Sequence, residues 1–204
     1  MAQDVPFGKP RAERADAARN REHLLRTARE MIAEHGTEKV TMDALAERSG
    51  LGKGTVFRRF GTRAGIFTAL LDEDERRFQQ RVLSGPPPLG PGAPPRDRII
   101  AYGRARMSYL YEHHVIARAT LHGARPVPMG GASITHPHLR MLLARTDLPA
   151  AILDALVLQL TAALEGPTFL YVSAGENADS PTPAEIEALS TAWHLLIDSL
   201  LPPP

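Results

Sequence analysis

The sequence contains no cysteine, so disulfide bonds, cysteine-ligated metal sites and thiol nucleophiles are all excluded. The N-terminus lacks the apolar segment of a secretory signal peptide. Long apolar runs are missing as well. The most apolar stretch, residues 150–164, is interrupted by Asp154 and Gln159 and is too short to cross a bilayer. These absences predict a cytoplasmic protein without a membrane partner.

The familiar catalytic motifs are also missing. The sequence has no Gly-x-Ser-x-Gly turn, no His-Glu-x-x-His helix and no Gly-x-Gly-x-x-Gly loop. The run GLGKGT, residues 50–55, lacks the spacing that a phosphate-binding loop needs before its Lys-Thr pair. We therefore expect a protein that is not an enzyme and that needs no cofactor.

Helical periodicity is present almost throughout, and no segment of useful length alternates as a strand does. The predicted fold class is all-α. We expect a capping box at Thr182 and Glu185 to open the last helix, and Gly166-Pro167 to kink or split the helix before it. The predicted helices cover residues 19–35, 42–48 and 53–60, a fourth helix capped by Thr62, and then 97–118, 138–146, 149–174 and 182–201.

The composition changes abruptly at SGPPPLGPGAPPR, residues 84–96, where six prolines and three glycines rule out a helix or a central strand. This segment is either a linker or a long ordered loop, and we take it as the domain boundary. The predicted organisation is a flexible arm (1–18), a three-helix helix-turn-helix domain (19–64), a connecting helix (65–83), the proline-rich segment (84–96) and a larger helical domain (97–204).

Residues 42–60 have the helix, tight turn and short helix of a helix-turn-helix. Val56 and Phe60 share the inward face of the second helix. The outward face is left with basic, polar and aromatic side chains that suit phosphates and base edges, and Gly54 permits close approach to a phosphate. The alternative is a packing unit whose basic residues are merely solvated. The predicted DNA-contacting residues on this helix are Lys53, Gly54, Thr55, Phe57, Arg58 and Arg59.

The run TMDALAERSGLGKGTVFRRFGTRAGIF, residues 41–67, resembles the TetR family of bacterial transcriptional regulators. The resemblance covers roughly the first 80 residues and adds Thr41 and Arg63 as phosphate contacts. Phe57 replaces the family's usual tyrosine, and Arg59 replaces its histidine. Arg63-Ala64 replaces its Lys-Glu pair, and Asp43 stands where a basic or polar contact often lies.

The resemblance implies that the C-terminal domain binds a small molecule and dimerises through its last two long helices. Their apolar stripes support a four-helix bundle between two copies, and a dimer suits a palindromic operator. The alternative is that both stripes face the domain's own core. The predicted interface residues are Leu153, Leu156, Leu160, Leu164, Leu189, Trp193, Leu196 and Leu200.

A pocket of methionine and aromatic side chains would suit a hydrophobic or aromatic ligand, although the same residues at helical spacing also fit a plain core. The predicted pocket residues are Tyr102, Met107, Tyr109, Tyr111, Phe169 and Tyr171. The resulting hypothesis is a homodimeric repressor that a ligand releases from double-stranded DNA; an activator remains an open alternative.

A second hypothesis, a metal-binding sensor or an enzyme, comes from five histidines that lie close together in the sequence. Their spacing suits a zinc site poorly, and exposed or hydrogen-bonded histidines are the simpler interpretation. No metal site is therefore expected. The five are His113, His114, His122, His136 and His138.

Overall fold

The computed structural model describes residues 11–120, 133–173 and 181–202, without the side chains of 11–14 and 171–173. Every long regular element in these ranges is an α-helix, which confirms the predicted all-α fold class. The helices are α1 (Arg11–His35), α2 (Met42–Ser49), α3 (Lys53–Phe60), α4 (Arg63–Ser84), α5 (Pro95–Thr120), α6 (Thr135–Leu143), α7 (Ala150–Ser173) and α8 (Pro183–Leu200).

The chain folds as two compact units, Met1–Leu70 and Leu71–Pro204. The boundary therefore falls within α4, whereas the sequence placed it in the proline-rich segment. Helix α1 begins at Arg11, so the prediction of a flexible arm is wrong for residues 11–18. The polar, alanine-rich composition of that stretch favours a helix as readily as a solvated arm.

The N-terminal unit is closed by short-range caps and a small apolar core. Thr41 Oγ1 accepts a hydrogen bond from the Ala44 amide at 3.1 Å and starts α2, as the sequence predicts. Gly50 ends α2 in the left-handed conformation with φ of 69°, which glycine adopts without a steric penalty. Val56 and Phe60 lie on the inner face of α3. They are buried in the apolar core of this unit, which also contains Leu24, Leu25, Ala28, Leu45, Ile66 and Phe67.

The proline-rich segment is an ordered loop, which decides between the two alternatives that the sequence left open. The Gly90 amide donates to the Pro86 carbonyl at 2.9 Å, and Leu89 packs against the core of the C-terminal unit. A Cβ at Gly90 would lie 1.8 Å from the Gly85 carbonyl oxygen, so only glycine fits this turn. The loop is consequently part of the C-terminal unit.

Helix α5 is the central element of the C-terminal unit and packs against α6, α7 and α8. Gly103 lets α8 approach closely, because a Cβ there would lie 1.9 Å from Trp193 Nε1. The same Nε1 donates to the Ile99 carbonyl at 3.1 Å, which satisfies the indole in the core. The position of the Trp193 indole is therefore fixed by its close contact with Gly103 and by its hydrogen bond to the Ile99 carbonyl.

Helix α7 runs unbroken through Pro167, so the expected split does not occur. A proline clashes with the Cβ of the residue before it in a helix, and Gly166 has none. Helix α8 opens as predicted, with Thr182 accepting from the Glu185 amide and the Glu185 carboxylate accepting from the Thr182 amide.

Candidate functional site

Helix α3 has one buried face and one exposed face. Val56 and Phe60 are buried, whereas Lys53, Phe57, Arg58 and Arg59 are exposed. Gly52 caps the helix without a side chain, and a Cβ at Gly54 would meet nothing within 4 Å. The helix thus presents an open N-terminus, a bare backbone and several cations on one surface, which is the chemistry that binds a phosphate backbone.

Lys53 forms an ion pair with an acidic side chain of α2. Its Nζ lies 2.8 Å from Asp43 Oδ1 on α2, and both side chains are about two-thirds exposed. An exposed pair of this kind contributes between about 0 and 1 kcal/mol, so it is easily exchanged for another partner. Asp43 therefore screens Lys53 in the free protein, an interaction that the sequence did not predict.

The neighbouring arginines differ in their surroundings. Arg59 Nη2 donates to the Ala17 carbonyl of α1 at 2.8 Å, whereas Arg58 makes no hydrogen bond or ion pair with the part of the chain that the structure describes. Arg58 is therefore the more available of the two for an external acceptor. Arg59 must first leave α1 if its guanidinium is to reach one.

Arg63 is placed differently from the phosphate contact that the family resemblance implies. Its Nε donates to the Val40 carbonyl and its Nη2 to the Thr37 carbonyl, both at 2.8 Å. The guanidinium also lies over the Phe67 ring, 5.0 Å from the centroid. The two hydrogen bonds tie the guanidinium to the connection between α1 and α2, so in this state Arg63 is a structural clamp.

The remaining predicted contacts lie around the same surface. Phe57 is 52% exposed, so its ring is available to pack against another surface. Thr55 is half-buried. Thr41 is exposed, although its hydroxyl already caps α2. The Thr41 hydroxyl can therefore donate to a phosphate only while its oxygen still accepts the hydrogen bond from the Ala44 amide.

The predicted ligand pocket is only partly assembled. Met107 and Tyr111 line a small cavity between α5, α7 and α8, together with His114, Pro167, Ile186 and Leu189. Its volume is about 10 Å³, which is room for about one water molecule. No drug-sized ligand fits this cavity in the present conformation.

The other predicted pocket residues do not line this cavity. Tyr102 is fully buried, and its hydroxyl shares a hydrogen bond with Thr135 Oγ1 at 2.8 Å. Burial raises the pKa of Tyr102 to about 12. Tyr109 packs on Phe78 and His113, and Phe169 is exposed on α7. The side chain of Tyr171 lies outside the described residues, so its placement in the pocket stays a prediction.

A buried polar network in the C-terminal unit was missed by the sequence analysis. Arg106 Nη1 donates to Glu75 at 2.6 Å, and its Nη2 donates to Ser133 at 3.2 Å and to Glu165 at 3.3 Å. Thr135 Oγ1 also donates to Glu165, at 2.8 Å. Burial alone would lower the pKa of Arg106, but Glu75 and Glu165 raise it above its usual value. An arginine inside an apolar helical pattern is the only sequence feature that could have indicated this network.

The predicted dimer residues divide into two groups. Leu160, Leu164 and Trp193 are buried in the domain's own core, so their assignment to an interface is wrong. Leu153, Leu189 and Leu200 pack against the same core, Leu156 is half-buried, and Leu196 is 44% exposed. Helical periodicity locates an apolar stripe but does not say which of two neighbouring apolar stripes faces the core.

A second apolar face remains uncovered on both of the last long helices. On α8, Ala188, Ala192, Leu195 and Ser199 share it with Leu196; on α7 it holds Ala155, Leu158, Ala162, Phe169 and Leu170. Residues Ala150–Leu170 are long and apolar enough to cross a membrane, with a mean hydropathy of 1.3, and only 17% of that window is buried. By length and composition, the apolar stretch therefore exceeds residues 150–164, which the sequence predicted to be too short to cross a bilayer.

The histidines do not converge. His113 contacts Asp74 and the Tyr109 carbonyl, His114 contacts the Tyr111 carbonyl, and His138 stacks on Tyr102. Among the residues that the structure describes, no three His, Asp or Glu side chains are grouped to hold a metal ion. His122 lies outside the described residues.

Residues 24–70 match the family described as bacterial regulatory proteins, tetR family. The transcriptional repressor AcnR of Corynebacterium efficiens is 38% identical over 63 residues, which are 31% of this chain and 34% of that protein. An HTH-type transcriptional repressor of Mycobacterium tuberculosis is 32% identical over 69 residues, which are 34% and 37% of the two chains. The chain thus matches about a third of the length of these relatives.

Solved structures extend the likeness to the C-terminal unit. A TetR-family regulator of Pectobacterium atrosepticum has a TM-score of 0.67 at 23% identity, over 96% of this chain and 100% of that one. A TetR of Acinetobacter baumannii in complex with minocycline has a TM-score of 0.57 at 18% identity, over 87% and 93% of the two chains. At these identities the likeness concerns the fold alone.

Proposed function

Because this chain belongs to the TetR family of bacterial regulatory proteins, we propose that it is a one-component transcriptional regulator that binds a palindromic DNA operator as a homodimer. The observation that carries the proposal is the exposed face of α3. That face combines an uncapped N-terminus, a bare glycine backbone and the cations Lys53, Arg58 and Arg59 on a helix short enough to enter a major groove.

Each residue has a distinct role in this proposal. Arg58 is the principal base-reading side chain because none of the residues that the structure describes occupies its donors. Lys53 exchanges Asp43 for a phosphate, and Arg59 exchanges the Ala17 carbonyl for one. Phe57 packs against a sugar or a thymine methyl, while Thr55, Gly54 and Thr41 approach the backbone. Arg63 holds the connection between α1 and α2 in place and acts on DNA only through that geometry.

The homodimer is supported by the uncovered apolar face of α7 and α8. Apolar side chains exposed along a helix of a folded domain mark an interaction site, and two helices of 24 and 18 residues are long enough for a four-helix bundle. Leu158, Leu170 and Leu195 are each more than 60% exposed and replace the buried Leu160, Leu164 and Trp193 as interface residues. Two copies related by a two-fold axis suit a palindrome.

A repressor in the cytoplasm, released by a small hydrophobic or aromatic ligand, is the form of regulation that we favour. Its relatives over the helix-turn-helix are named as repressors, and one protein of the same fold has been solved with minocycline. A ligand can shift such an equilibrium only by binding one conformation better than the other. The alternative of a metal sensor has little support, since the described histidines contact carboxylates, carbonyls and rings separately.

Fluorescence anisotropy with the DNA upstream of the gene, a scrambled duplex and a salt titration tests the proposal. We expect tight, sequence-preferring binding whose affinity falls steeply with salt. Arg58→Ala should weaken specific binding by about 1–3 kcal/mol. Arg76→Ala, an exposed arginine of the C-terminal unit, is the matched control and should change little. Equal affinity of Arg58→Ala and the unaltered protein for the operator would contradict the assignment of α3.

A further inference from the structure

A wide groove separates α4 from α5 in the C-terminal unit, on a different face of α5 from the small interhelical cavity. Its volume is about 760 Å³, within the range of about 300–1,000 Å³ that small-molecule sites occupy. The loop at residues 86–89 closes one end. The groove exists because α5 turns Ala101, Ala105 and Ser108 towards it, side chains too small to fill the space.

The groove has an apolar floor. Phe78 and Tyr109 form it on one side, with their ring centroids 5.1 Å apart, and Leu89 contributes from the loop. Arg106 lies beneath these rings, with its guanidinium carbon 5.5 Å from the Phe78 centroid and 5.1 Å from that of Tyr109. An aromatic or aliphatic body laid on this floor would be desolvated on a rigid surface.

The groove lining carries both acids and cations. Asp74 is paired with His113 at 3.2 Å, and Arg77 turns towards Glu73 at 2.6 Å and Asp74 at 3.7 Å. Glu112 is the other acid of the lining, and Arg81 of α4 and Arg104 of α5 add two further cations. Asp74 is thus accompanied by cations of its own.

Arg81 and Arg104 both have donors to spare. Arg81 makes no ion pair within the part of the chain that the structure describes, and there Arg104 has only a 3.8 Å contact with Glu187, in which both side chains are more than half exposed. Exposed pairs at that distance are easily exchanged. Two available guanidinium groups in the lining of one apolar groove match a carboxylate, sulfonate or phosphate group.

We propose that this groove binds an amphipathic anion, with an aromatic or aliphatic body on Phe78, Leu89 and Ala105 and an acidic head between Arg81 and Arg104. The identification of that anion as the effector rests on the proposed function. Binding of the anion itself does not, because every residue of the groove belongs to the C-terminal unit.

The test uses two dyes of the same shape on the full-length protein without DNA. Anilinonaphthalene sulfonate has an aromatic body and one acidic group, and N-phenylnaphthylamine has the same body without the acid. We expect one sulfonate site per chain whose affinity falls about tenfold in Arg81→Ala and in Arg104→Ala, and whose neutral analogue binds more weakly. Arg76→Ala on the same helix is the control and should bind the sulfonate as the unaltered chain does.

Variants that fill the groove provide a second, independent test of the binding site. Ala105→Leu should abolish the site for both dyes, and Ser108→Leu, at an exposed position on the rim, serves the same purpose if Ala105→Leu fails to fold. Unchanged sulfonate affinity in both arginine variants, or equal affinity for the two dyes, would overturn the proposal. Binding that survives the filling variants would place the dye elsewhere and would overturn it as well.

The link to regulation is measured separately, by adding the sulfonate to the operator complex. Release that is lost in Arg81→Ala would identify the groove as the effector site. Binding to the groove without release from DNA would overturn the regulatory part of the proposal and leave the anion site standing. If the protein does not bind the operator at all, the proposed function fails. The dye-binding measurements still determine whether the groove is an anion site.

Discussion

Replacing Gly103 with alanine should destabilise the protein, although alanine normally stabilises a helix by about 0.8–1 kcal/mol relative to glycine. The added Cβ would lie 1.9 Å from Trp193 Nε1 and 2.3 Å from Cε2, far inside van der Waals contact. Trp193 is 2% exposed and has no free space to move into. Overpacking of this kind costs about 1–3 kcal/mol.

The indole cannot retreat without a second loss, because its Nε1 donates to the Ile99 carbonyl at 3.1 Å on the same helix as Gly103. Breaking that bond adds about 0.5–1.5 kcal/mol. With the gain in helix propensity set against both losses, we expect a net destabilisation of about 2 kcal/mol, within limits of about 0.5 and 3.7 kcal/mol. For a chain of 204 residues, 2 kcal/mol corresponds to a melting temperature lower by roughly 4–8 °C.

Thermal unfolding followed by circular dichroism gives the measurement, and a double-mutant cycle with Trp193→Phe gives the cause. The atoms that Cβ meets belong to the five-membered ring, which phenylalanine lacks. Gly103→Ala should therefore cost at least about 1 kcal/mol less in the Trp193→Phe background. A melting temperature that rises in Gly103→Ala, or an equal loss in both backgrounds, would refute the close approach of α5 and α8.

Three further predictions concern charges. Asp43→Asn should raise the affinity for DNA because Lys53 no longer has to leave a carboxylate, whereas Lys53→Ala should make the log–log slope of affinity against salt shallower by about 0.9, measured by anisotropy; an unchanged slope in Lys53→Ala would count against Lys53 as a phosphate contact. Glu75→Gln should destabilise the protein by about 3 kcal/mol in urea unfolding because Arg106 stays buried, and a loss below about 1 kcal/mol would contradict the network. Burial lowers the pKa of His138 to about 4, so stability should fall from about pH 6.5 towards pH 4, and His138→Phe should flatten that dependence.

The sequence predicted those parts of the molecule that local rules determine. The helix caps depend on residues within a few positions of one another. They are Thr41 at the start of α2, Gly50 in the left-handed conformation at its end, and the capping box of Thr182 and Glu185. The inward face of α3 followed from the i, i+4 spacing of Val56 and Phe60. Such features need no knowledge of what the chain does elsewhere.

Local rules do not predict interactions between residues that are far apart in the sequence. Arg106 reaches Glu75, Ser133 and Glu165 across separations of 27 to 59 residues, and its place in an apolar helical pattern does not indicate which residues are its partners. Arg63 turns back by 23 and 26 residues to two carbonyls. The assignment of Leu160 and Trp193 to an interface failed for the related reason that α7 and α8 are apolar on more than one face.

The uncovered apolar face of α7 and α8 also has a consequence for protein concentration. If a second copy covers it, folding and assembly share one equilibrium, and the temperature of unfolding rises with the amount of protein. The concentration of operator-competent dimers would then rise with the square of the monomer concentration at low expression. A modest change in copy number, rather than any change in the reading helix, would be enough to switch occupancy of a promoter.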